Sequence, residues 1–261
     1  MARFQGAIFD IDGVLVDTPH QKAWREALRE LMEGEWAPIR AATTWTPEAF
    51  TPLVYQQEVS GKARLSGATA ALAHFGVPDL DTRGVEYADR KQEMVVRLIE
   101  AGDFTAYDDA LRFIIEVKDQ GTPVAAASSS KNVGLILGKI RLDTFAEEQG
   151  IDAAVVTPGL TLLDLFDADV SGRDFARGKP DPEMFLTAAR ELGVDPQDAV
   201  VMEDATAGVQ AAKAGAMAAI GIARADDADL LAAAGADIVV PSLDQVDRAA
   251  LAEGRIAATA V

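Results

Sequence analysis

The stretch Phe9-Asp10-Ile11-Asp12-Gly13-Val14 decides how the rest of this sequence is interpreted. It ends the apolar run Ala7-Ile8-Phe9, which is typical of a strand in the centre of a parallel sheet. An acid at the end of such a strand is costly to bury unless a ligand or a metal compensates its charge. Since ligands bind at the carboxyl ends of parallel strands, Asp10 and Asp12 are candidate site residues. Taken alone, the pair favours a simpler interpretation, in which one acid caps the next turn and the other is solvated.

The composition is that of an ordinary globular protein. The chain has 261 residues, of which 49% are hydrophobic and 25% are charged, enough for one large domain or two modest ones. The net charge of −18 argues against nucleic acid or an anionic membrane surface as a partner. If the substrate carries phosphate, cations must therefore be concentrated locally at its site.

The sequence contains no cysteine, which excludes disulfides, thiolate chemistry and cysteine-based zinc sites. The first strand signal follows Met1 within a few residues, so we expect no signal peptide. No apolar run approaches the length of a membrane span. We expect a cytoplasmic protein without membrane contact, either a monomer or a homodimer.

Helix signals without a convincing strand fill residues 18–103. From residue 104 onward, short apolar runs alternate with helical patterns, which predicts a parallel sheet with helices on both faces. We therefore predict an α/β fold. Its Rossmann-like parallel-sheet core comprises residues 1–17 and 104–261, and residues 18–103 form an inserted α-helical cap domain. The later elements include strands near 124–127, 166–170, 199–202, 217–222 and 238–240, and a helix over 132–141.

Polar or charged side chains follow the predicted core strands, and together they suit phosphoryl transfer, which depends mainly on positioning and charge neutralisation. Mg²⁺ prefers oxygen ligands, which Asp10 and Asp204 can supply. A carboxylate nucleophile forms an acyl-phosphate, and a second acid can protonate the leaving oxygen. The residues at these strand ends are Asp10 and Asp12, Ser128, and Glu203-Asp204, and one further strand end leads into the segment before Lys179.

In order and spacing, four motifs resemble the signature motifs of the haloacid dehalogenase superfamily: Asp10-Ile11-Asp12-Gly13-Val14, Ser128, Lys179-Pro180 and Glu203-Asp204. Further segments resemble its β-phosphoglucomutase-like branch, whose members carry an α-helical cap. These segments are Asp17-Thr18, Ala23-Trp24, Gly61-Lys62-Ala63-Arg64, Arg90-Lys91, Ser128-Ser129-Ser130-Lys131-Asn132, Gly178-Lys179-Pro180-Asp181-Pro182 and Glu203-Asp204-Ala205-Thr206-Ala207-Gly208-Val209.

The resemblance implies a nucleophile, an acid/base and a metal site. Asp10 would become an aspartyl-phosphate, and Asp12 would be the general acid/base. Mg²⁺ would be held by Asp10, the backbone carbonyl of Asp12 and Asp204. Glu203 would be either a further ligand or a residue behind the ligands. A Mg²⁺ site of this kind argues against dehalogenation, which does not need one.

The resemblance also implies which core residues bind the substrate. Ser128 would hydrogen-bond the transferring phosphoryl group, together with the backbone amide of Ser129, and Lys179 would neutralise its charge. Lys131 and Asn132 match positions near the non-reacting end of the substrate. The alternative for Ser128 is a cap on the following helix.

In the cap, Arg64 matches an arginine that grips the distal phosphate of a bisphosphorylated sugar, and Lys91 matches a lysine that reaches the active site. The alternative for both is a solvated cation on a helix. His20 is close enough to the turn or short flap predicted over residues 14–19 to contact substrate, although a surface histidine is the preferred interpretation. The tryptophans are expected to form the core of the cap rather than a platform for a sugar: Trp24, Trp36 and Trp45.

The acceptor of the phosphoryl group separates three hypotheses. A phosphatase passes it to water, a mutase passes it to another hydroxyl of a sugar phosphate, and an inactive sensor only binds the substrate. The segment from Thr18 to Trp24 looks shorter than in the mutases, and residues 142–162 look like an insertion without an assigned role. We therefore place a phosphatase of a phosphorylated sugar or similar small metabolite first, the mutase second and the sensor third.

Overall fold

The computed structural model describes residues 4–259. The chain divides into two compact units, one made of Met1–Asp17 with Thr105–Val261 and the other of Thr18–Phe104. The first unit contains the sheet, and the second unit is helical. No helix among residues 4–259 combines the length and the apolar composition needed to cross a membrane.

Within the described residues, the first unit contains one six-stranded parallel sheet and one antiparallel pair of very short strands. The strands are β1 (Gly6–Phe9), β2 (Val16–Asp17), β3 (Thr105–Ala106), β4 (Val124–Ala126), β5 (Ala168–Asp169), β6 (Ala199–Glu203), β7 (Ala218–Ile222) and β8 (Ile238–Val240). The short pair consists of β2 and β3. The order in the large sheet is β5-β4-β1-β6-β7-β8, which confirms the predicted α/β class and places β1 inside the sheet.

Strand β1 is buried along its whole length because it has a neighbour on each side and helices on both faces. Ile8 lies in register with Ala125 on β4 and with Val201 on β6. These side chains belong to a core that also includes Phe185. Burying such a side chain stabilises the fold by about 1.5–3 kcal/mol. The order β4-β1-β6 brings the carboxyl ends of these three strands to one edge of the sheet.

The helical unit packs around its own apolar core. The tyrosine hydroxyl of Tyr87 lies in that core and donates a hydrogen bond of 2.7 Å to the carbonyl oxygen of Trp24. Trp24, Trp36 and Trp45 are all buried in it, which confirms the interpretation of the tryptophans as core residues. The helices are α1 (His20–Glu33), α2 (Ala37–Arg40), α3 (Pro52–Glu58), α4 (Arg64–His74) and α5 (Leu80–Glu100).

The remaining helices belong to the sheet-containing unit. The helix predicted over 132–141 is wrong in length, because it ends at Leu137. Residues 140–142 pair instead with residues 160–162, through an antiparallel bridge between Arg141 and Thr161. The α-helices are α6 (Asp108–Asp119), α7 (Val133–Leu137), α8 (Leu142–Gln149), α9 (Leu162–Leu165), α10 (Glu183–Leu192), α11 (Thr206–Ala214), α12 (Ala228–Ala233) and α13 (Arg248–Ala252), and the 3-10 helices are Pro196–Asp198 and Leu243–Gln245.

Candidate active site

Lys179 joins the carboxyl ends of two neighbouring strands. Its Nζ donates a hydrogen bond of 2.6 Å to Asp10 Oδ1 and another of 2.6 Å to Glu203 Oε1. Asp10 directly follows β1, and Glu203 is the last residue of β6, which pairs with β1. The Lys179 side chain is 0% exposed, so water does not screen these ion pairs. The structure thus brings three of the predicted site residues into direct contact.

The carboxylate of Glu203 is held in place by the start of helix α11. Its Oε2 accepts a hydrogen bond of 2.7 Å from the backbone N–H of Ala205. A Cβ atom at Gly208 would lie 1.7 Å from Glu203 Oε1, so the carboxylate occupies the space that a side chain at this position would need. Both carboxylate oxygens are therefore engaged, one by Lys179 and one by Ala205. These contacts favour the alternative in which Glu203 supports Lys179 from behind the predicted metal ligands.

Two glycine substitutions test this packing. A glycine-to-alanine change inside a helix ordinarily stabilises a protein by about 0.5–1 kcal/mol. We expect Gly208→Ala to destabilise the fold instead, by about 1–3 kcal/mol, because the new methyl group collides with Glu203. Gly134 in α7 is the matched control, since a Cβ there meets no atom within 4 Å. Urea unfolding should show opposite signs for the two variants, and equal effects would contradict the fixed position of Glu203.

Gly13 brings the turn after Asp12 against Asp204. Its φ is +80°, and a Cβ atom there would lie 2.0 Å from Asp204 Oδ2. Glycine is therefore required at this position both by the left-handed backbone and by the close approach. The first and last of the sequence motifs meet at this contact.

The site carries more negative charge than Lys179 compensates. Burial is the main reason why the pKa of Asp10 rises to about 7, with Lys179 opposing it and Glu203 and Asp12 adding to it. Burial likewise raises the pKa of Asp204 well above its usual range, and the nearby carboxylates raise it further. Burial alone would lower the pKa of Lys179, but Asp10 and Glu203 outweigh it and raise that pKa. A further cation would relieve this excess of buried negative charge.

The donor chemistry of this edge fits Mg²⁺, which takes few protein carboxylates and completes its shell with other oxygens. Within residues 4–259, no group of three or more His, Cys, Asp or Glu side chains is arranged as a metal site. The predicted ligand set needs fewer side chains, because it combines the carboxylates of Asp10 and Asp204 with the backbone carbonyl of Asp12. The excess charge and the approach of Gly13 to Asp204 support that set.

Ser128 lies at the same edge, just after β4, and is buried. Its Oγ accepts a hydrogen bond of 3.1 Å from the backbone N–H of Ser130. The Oγ of Ser130 in turn accepts one of 3.2 Å from the N–H of Asn132, which precedes α7. The Ser128 hydroxyl therefore shapes the turn but does not cap α7, whose N-cap residue is Asn132, and it still has its own O–H to donate. Asn132 is buried in this turn, and Ser129 is half-buried.

Lys131 differs from its neighbours because its side chain points into solvent. Its Nζ lies 2.7 Å from Asp174 Oδ1, and the two side chains are 60% and 89% exposed. An ion pair this exposed contributes about 0–1 kcal/mol. Lys131 can therefore exchange Asp174 for another anion at little cost.

Comparison with known proteins identifies the family. A family model described as haloacid dehalogenase-like hydrolase matches residues 4–215. The chain belongs to the haloacid dehalogenase-like hydrolase family. The matched segment runs from before Asp10 to beyond Asp204 and so contains all four motifs, which confirms the family resemblance.

Relatives within the haloacid dehalogenase-like hydrolases include mutases and phosphatases. A beta-phosphoglucomutase of Mycobacterium tuberculosis is 33% identical, over 94% of this chain and 92% of the relative. A validoxylamine A 7'-phosphate phosphatase of Streptomyces hygroscopicus subsp. limoneus is 27% identical, over 93% of this chain and 96% of the relative. The crystal structure of an archaeal beta-phosphoglucomutase from Pyrococcus sp. strain ST 04 superposes with a TM-score of 0.65 at 27% identity, covering 95% of this chain and 99% of that one. These matches confirm the fold class and the β-phosphoglucomutase-like branch of the family.

The residues predicted in the helical unit have different surroundings. Arg64 begins α4 and is exposed, and its side chain makes no hydrogen bond or ion pair with another of residues 4–259. Lys91 on α5 is buried, with its Nζ 5.0 Å from the centre of the Trp24 ring. The expectation of a surface position for His20 is wrong, because it begins α1 on the same face as Trp24 and is buried. Burial lowers its pKa, and Lys91 lowers that pKa further, so the imidazole is neutral at pH 7.

Sequence reasoning missed a cation at the sheet edge of this haloacid dehalogenase-like hydrolase. Arg224 lies two residues after β7, the neighbour of β6. Its guanidinium donates hydrogen bonds to the carbonyl oxygens of Gly13 and Val14. The available signal was a charged residue shortly after an apolar strand, the same signal that pointed to Asp10.

Proposed function

We propose that the chain catalyses Mg²⁺-dependent phosphoryl transfer from a phosphorylated sugar or similar small metabolite through a phosphorylated Asp10, with water as the acceptor. The observation that carries this proposal is the buried Lys179, which lies 2.6 Å from both Asp10 and Glu203. A cation fixed beside a carboxylate at the carboxyl edge of a sheet is placed to neutralise phosphoryl oxygens as that carboxylate attacks. Membership of a hydrolase family supports the same chemistry.

The proposed reaction has two steps. In the first, an oxygen of Asp10 forms a bond to phosphorus while the bond from phosphorus to the leaving oxygen breaks, and Asp12 gives that oxygen a proton. In the second, a water oxygen forms a bond to phosphorus, Asp12 takes a proton from the water, and the bond to Asp10 breaks to release phosphate. Lys179 and Ser128 hold the phosphoryl oxygens in both steps. Mg²⁺, when bound by Asp10, Asp204 and the carbonyl of Asp12, supplies further neutralisation of phosphoryl charge.

We propose that five further residues bind the substrate. The Ser129 amide and Asn132 belong to the turn that contains Ser128, next to Asp10. Lys131 can exchange its exposed contact with Asp174 for a substrate anion. Arg64, which has no anionic partner among residues 4–259, is proposed to bind a distal phosphate. Lys91, on α5 of the helical unit, is the fifth residue that we propose to bind the substrate.

A sugar-phosphate mutase is the second candidate. The Mycobacterium tuberculosis relative, 33% identical over 94% of this chain, is named beta-phosphoglucomutase and favours it. In a mutase, a sugar hydroxyl replaces water in the second step, and the core residues keep their roles. We place hydrolysis first because the family model over residues 4–215 is described as a hydrolase and because the Streptomyces relative is named a phosphatase.

Phosphorus NMR separates these candidates in one experiment. The protein is supplied with β-glucose 1-phosphate, Mg²⁺ and a trace of glucose 1,6-bisphosphate. We expect inorganic phosphate to accumulate. Accumulation of glucose 6-phosphate would instead support the mutase. If a panel of sugar phosphates stabilises the protein against heat without being turned over, the chain is a sensor and the proposed function is wrong.

Metal removal provides a separate test. We expect EDTA to lower turnover at least about 100-fold and Mg²⁺ to restore it, because the buried carboxylates need a further cation. Mg²⁺ should also raise the melting temperature of the native protein, since a ligand that binds the folded state stabilises it. Asp204→Asn should weaken that thermal shift. Full activity in EDTA, or an unchanged thermal shift in the variant, would contradict the proposed metal site.

A further inference from the structure

The mechanism above gives no role to Arg224, although its guanidinium is held next to the turn that follows Asp12. Nε donates to the carbonyl oxygen of Gly13 over 3.3 Å, and Nη2 donates to that of Val14 over 3.2 Å. Nη1 lies 2.9 Å from Asp109 Oδ2 and 3.4 Å from the carbonyl oxygen of Pro241. The guanidinium thus connects the turn to other parts of the same unit.

The carboxylate that holds Arg224 is itself fixed. Asp109 lies in the first turn of α6 and is buried. Besides Arg224, its Oδ2 accepts a hydrogen bond of 2.8 Å from Ser242 Oγ and one of 2.7 Å from the backbone N–H of Leu243. Burial alone would raise the pKa of Asp109, but these three donors outweigh it and lower that pKa, so the carboxylate is ionised. Arg224 is therefore anchored to a rigid, charged partner.

Tyr107 fixes the plane of the guanidinium. The central carbon of the Arg224 guanidinium lies 4.0 Å from the centre of the Tyr107 ring. The backbone N–H of Tyr107 donates a hydrogen bond of 3.0 Å to the carbonyl oxygen of Leu15, in the same turn. Arg224 is thus constrained on one side by the ring and at its ends by Asp109 and the two carbonyl oxygens.

The turn that Arg224 contacts is tight and joins directly to Asp12. The N–H of Gly13 donates to the carbonyl oxygen of Val16 over 2.9 Å, and the N–H groups of Leu15 and Val16 both donate to that of Ile11 over 3.0 Å. A displacement of Gly13 and Val14 must therefore move Asp12. A planar, multidentate guanidinium can hold two carbonyl oxygens and a carboxylate together, whereas a lysine ammonium is a compact point charge without that fork geometry.

We infer that Arg224 is a positioning residue for Asp12. It fixes the turn at Gly13 and Val14 and so holds the Asp12 carboxyl where it can protonate the leaving oxygen. This inference rests on the proposed role of Asp12 as general acid. It follows that loss of Arg224 slows the first step most for esters whose leaving oxygen needs a proton.

The test compares two aryl esters that differ in this need. Phenolate leaves poorly without a proton, and p-nitrophenolate leaves readily without one. The value of kcat/KM reports the steps up to phosphorylation of Asp10 and excludes the attack by water. We expect Arg224→Met, in the full chain with Mg²⁺, to lower kcat/KM for phenyl phosphate about tenfold more than for p-nitrophenyl phosphate.

Three further variants complete the design. Asp12→Asn must show the same preference for p-nitrophenyl phosphate, and if it does not, the proposed role of Asp12 fails independently of Arg224. Arg112→Met is the matched control, because Arg112 forms its ion pair with Asp244 rather than with the turn, and both rates should stay within about twofold of the native values. If Arg224→Met does not fold, Arg224→Lys takes its place in the comparison. We expect Arg224→Lys also to lower kcat/KM more for phenyl phosphate than for p-nitrophenyl phosphate.

If Arg224→Met lowers both rates equally while Asp12→Asn discriminates between the esters, Arg224 has only a structural role and the inference is wrong. Native kcat/KM values for both esters in Arg224→Lys would also overturn the inference, because a point charge would then be enough to position Asp12.

Discussion

Replacing Asp10 with asparagine is expected to lower kcat for any phosphate ester by at least about four orders of magnitude, as loss of a covalent nucleophile does. The amide cannot form the acyl-phosphate, yet it has nearly the shape of the carboxylate. Its oxygen can still accept the hydrogen bond from Lys179, which also keeps its contact with Glu203. The variant should therefore fold normally while it loses turnover, as steady-state kinetics and circular dichroism would show.

The control for this substitution is Asp229→Asn. Asp229 lies on the exposed surface of the first turn of α12, and the proposed mechanism does not use it. Its asparagine variant should keep native turnover. Substantial activity in Asp10→Asn beside an unchanged control would show that phosphoryl transfer does not pass through Asp10.

Lys179→Met is expected to destabilise the fold by about 3–5 kcal/mol and also to abolish turnover, because it leaves two buried carboxylates without their cation. Those carboxylates belong to Asp10 and Glu203, which are 9% and 0% exposed in their side chains. Lys131→Met is the matched control, since its ion pair with Asp174 is 60% and 89% exposed and should contribute about 0–1 kcal/mol. Urea unfolding of both variants in one buffer measures the difference.

The defect of Lys179→Met should depend on pH in a defined direction. Burial raises the pKa of Asp10 to about 7 although Lys179 opposes the rise, so removal of the lysine raises that pKa further. A group whose pKa is raised in the folded state costs stability as the pH rises above the unfolded value. The difference in unfolding free energy between native protein and variant, measured in EDTA, should therefore grow as the pH rises from 7 to 9, because Asp10 ionises near pH 7 in the native fold but only at higher pH in the variant. A difference that stays constant over this range would contradict the buried ion pairs.

The core of the site could be predicted from sequence because each of its strands is a short apolar run that stops at a polar residue. In a parallel sheet such ends share one edge, so Asp10, Ser128 and Asp204 could be placed together before any coordinates were known. The sheet order then brought β4, β1 and β6 side by side. The short apolar runs and the rule that parallel strands end at one edge of a sheet were sufficient to predict this part of the site.

The contacts that fix the site were not predictable in the same way. Arg224 lies 211 residues from Gly13, and no periodic pattern connects two such positions. The only sequence signal for the contact of Gly208 with Glu203 was the presence of a glycine within a predicted helix. Strands of two residues, such as Val16–Asp17, are too short to show alternation. The helix after Ser128 ended early because Arg141 pairs with Thr161, a tertiary contact that overrides helical propensity.

Trapping the covalent intermediate tests the role of Asp10 most directly. The protein is mixed with Mg²⁺ and p-nitrophenyl phosphate, denatured during turnover and reduced with borohydride, which converts an aspartyl-phosphate into homoserine. Peptide mass spectrometry then locates the modified position. We predict homoserine in place of Asp10 only when the phosphate ester is present. Continued release of nitrophenolate without modification of Asp10, or with modification of another residue instead, would contradict phosphoryl transfer through Asp10.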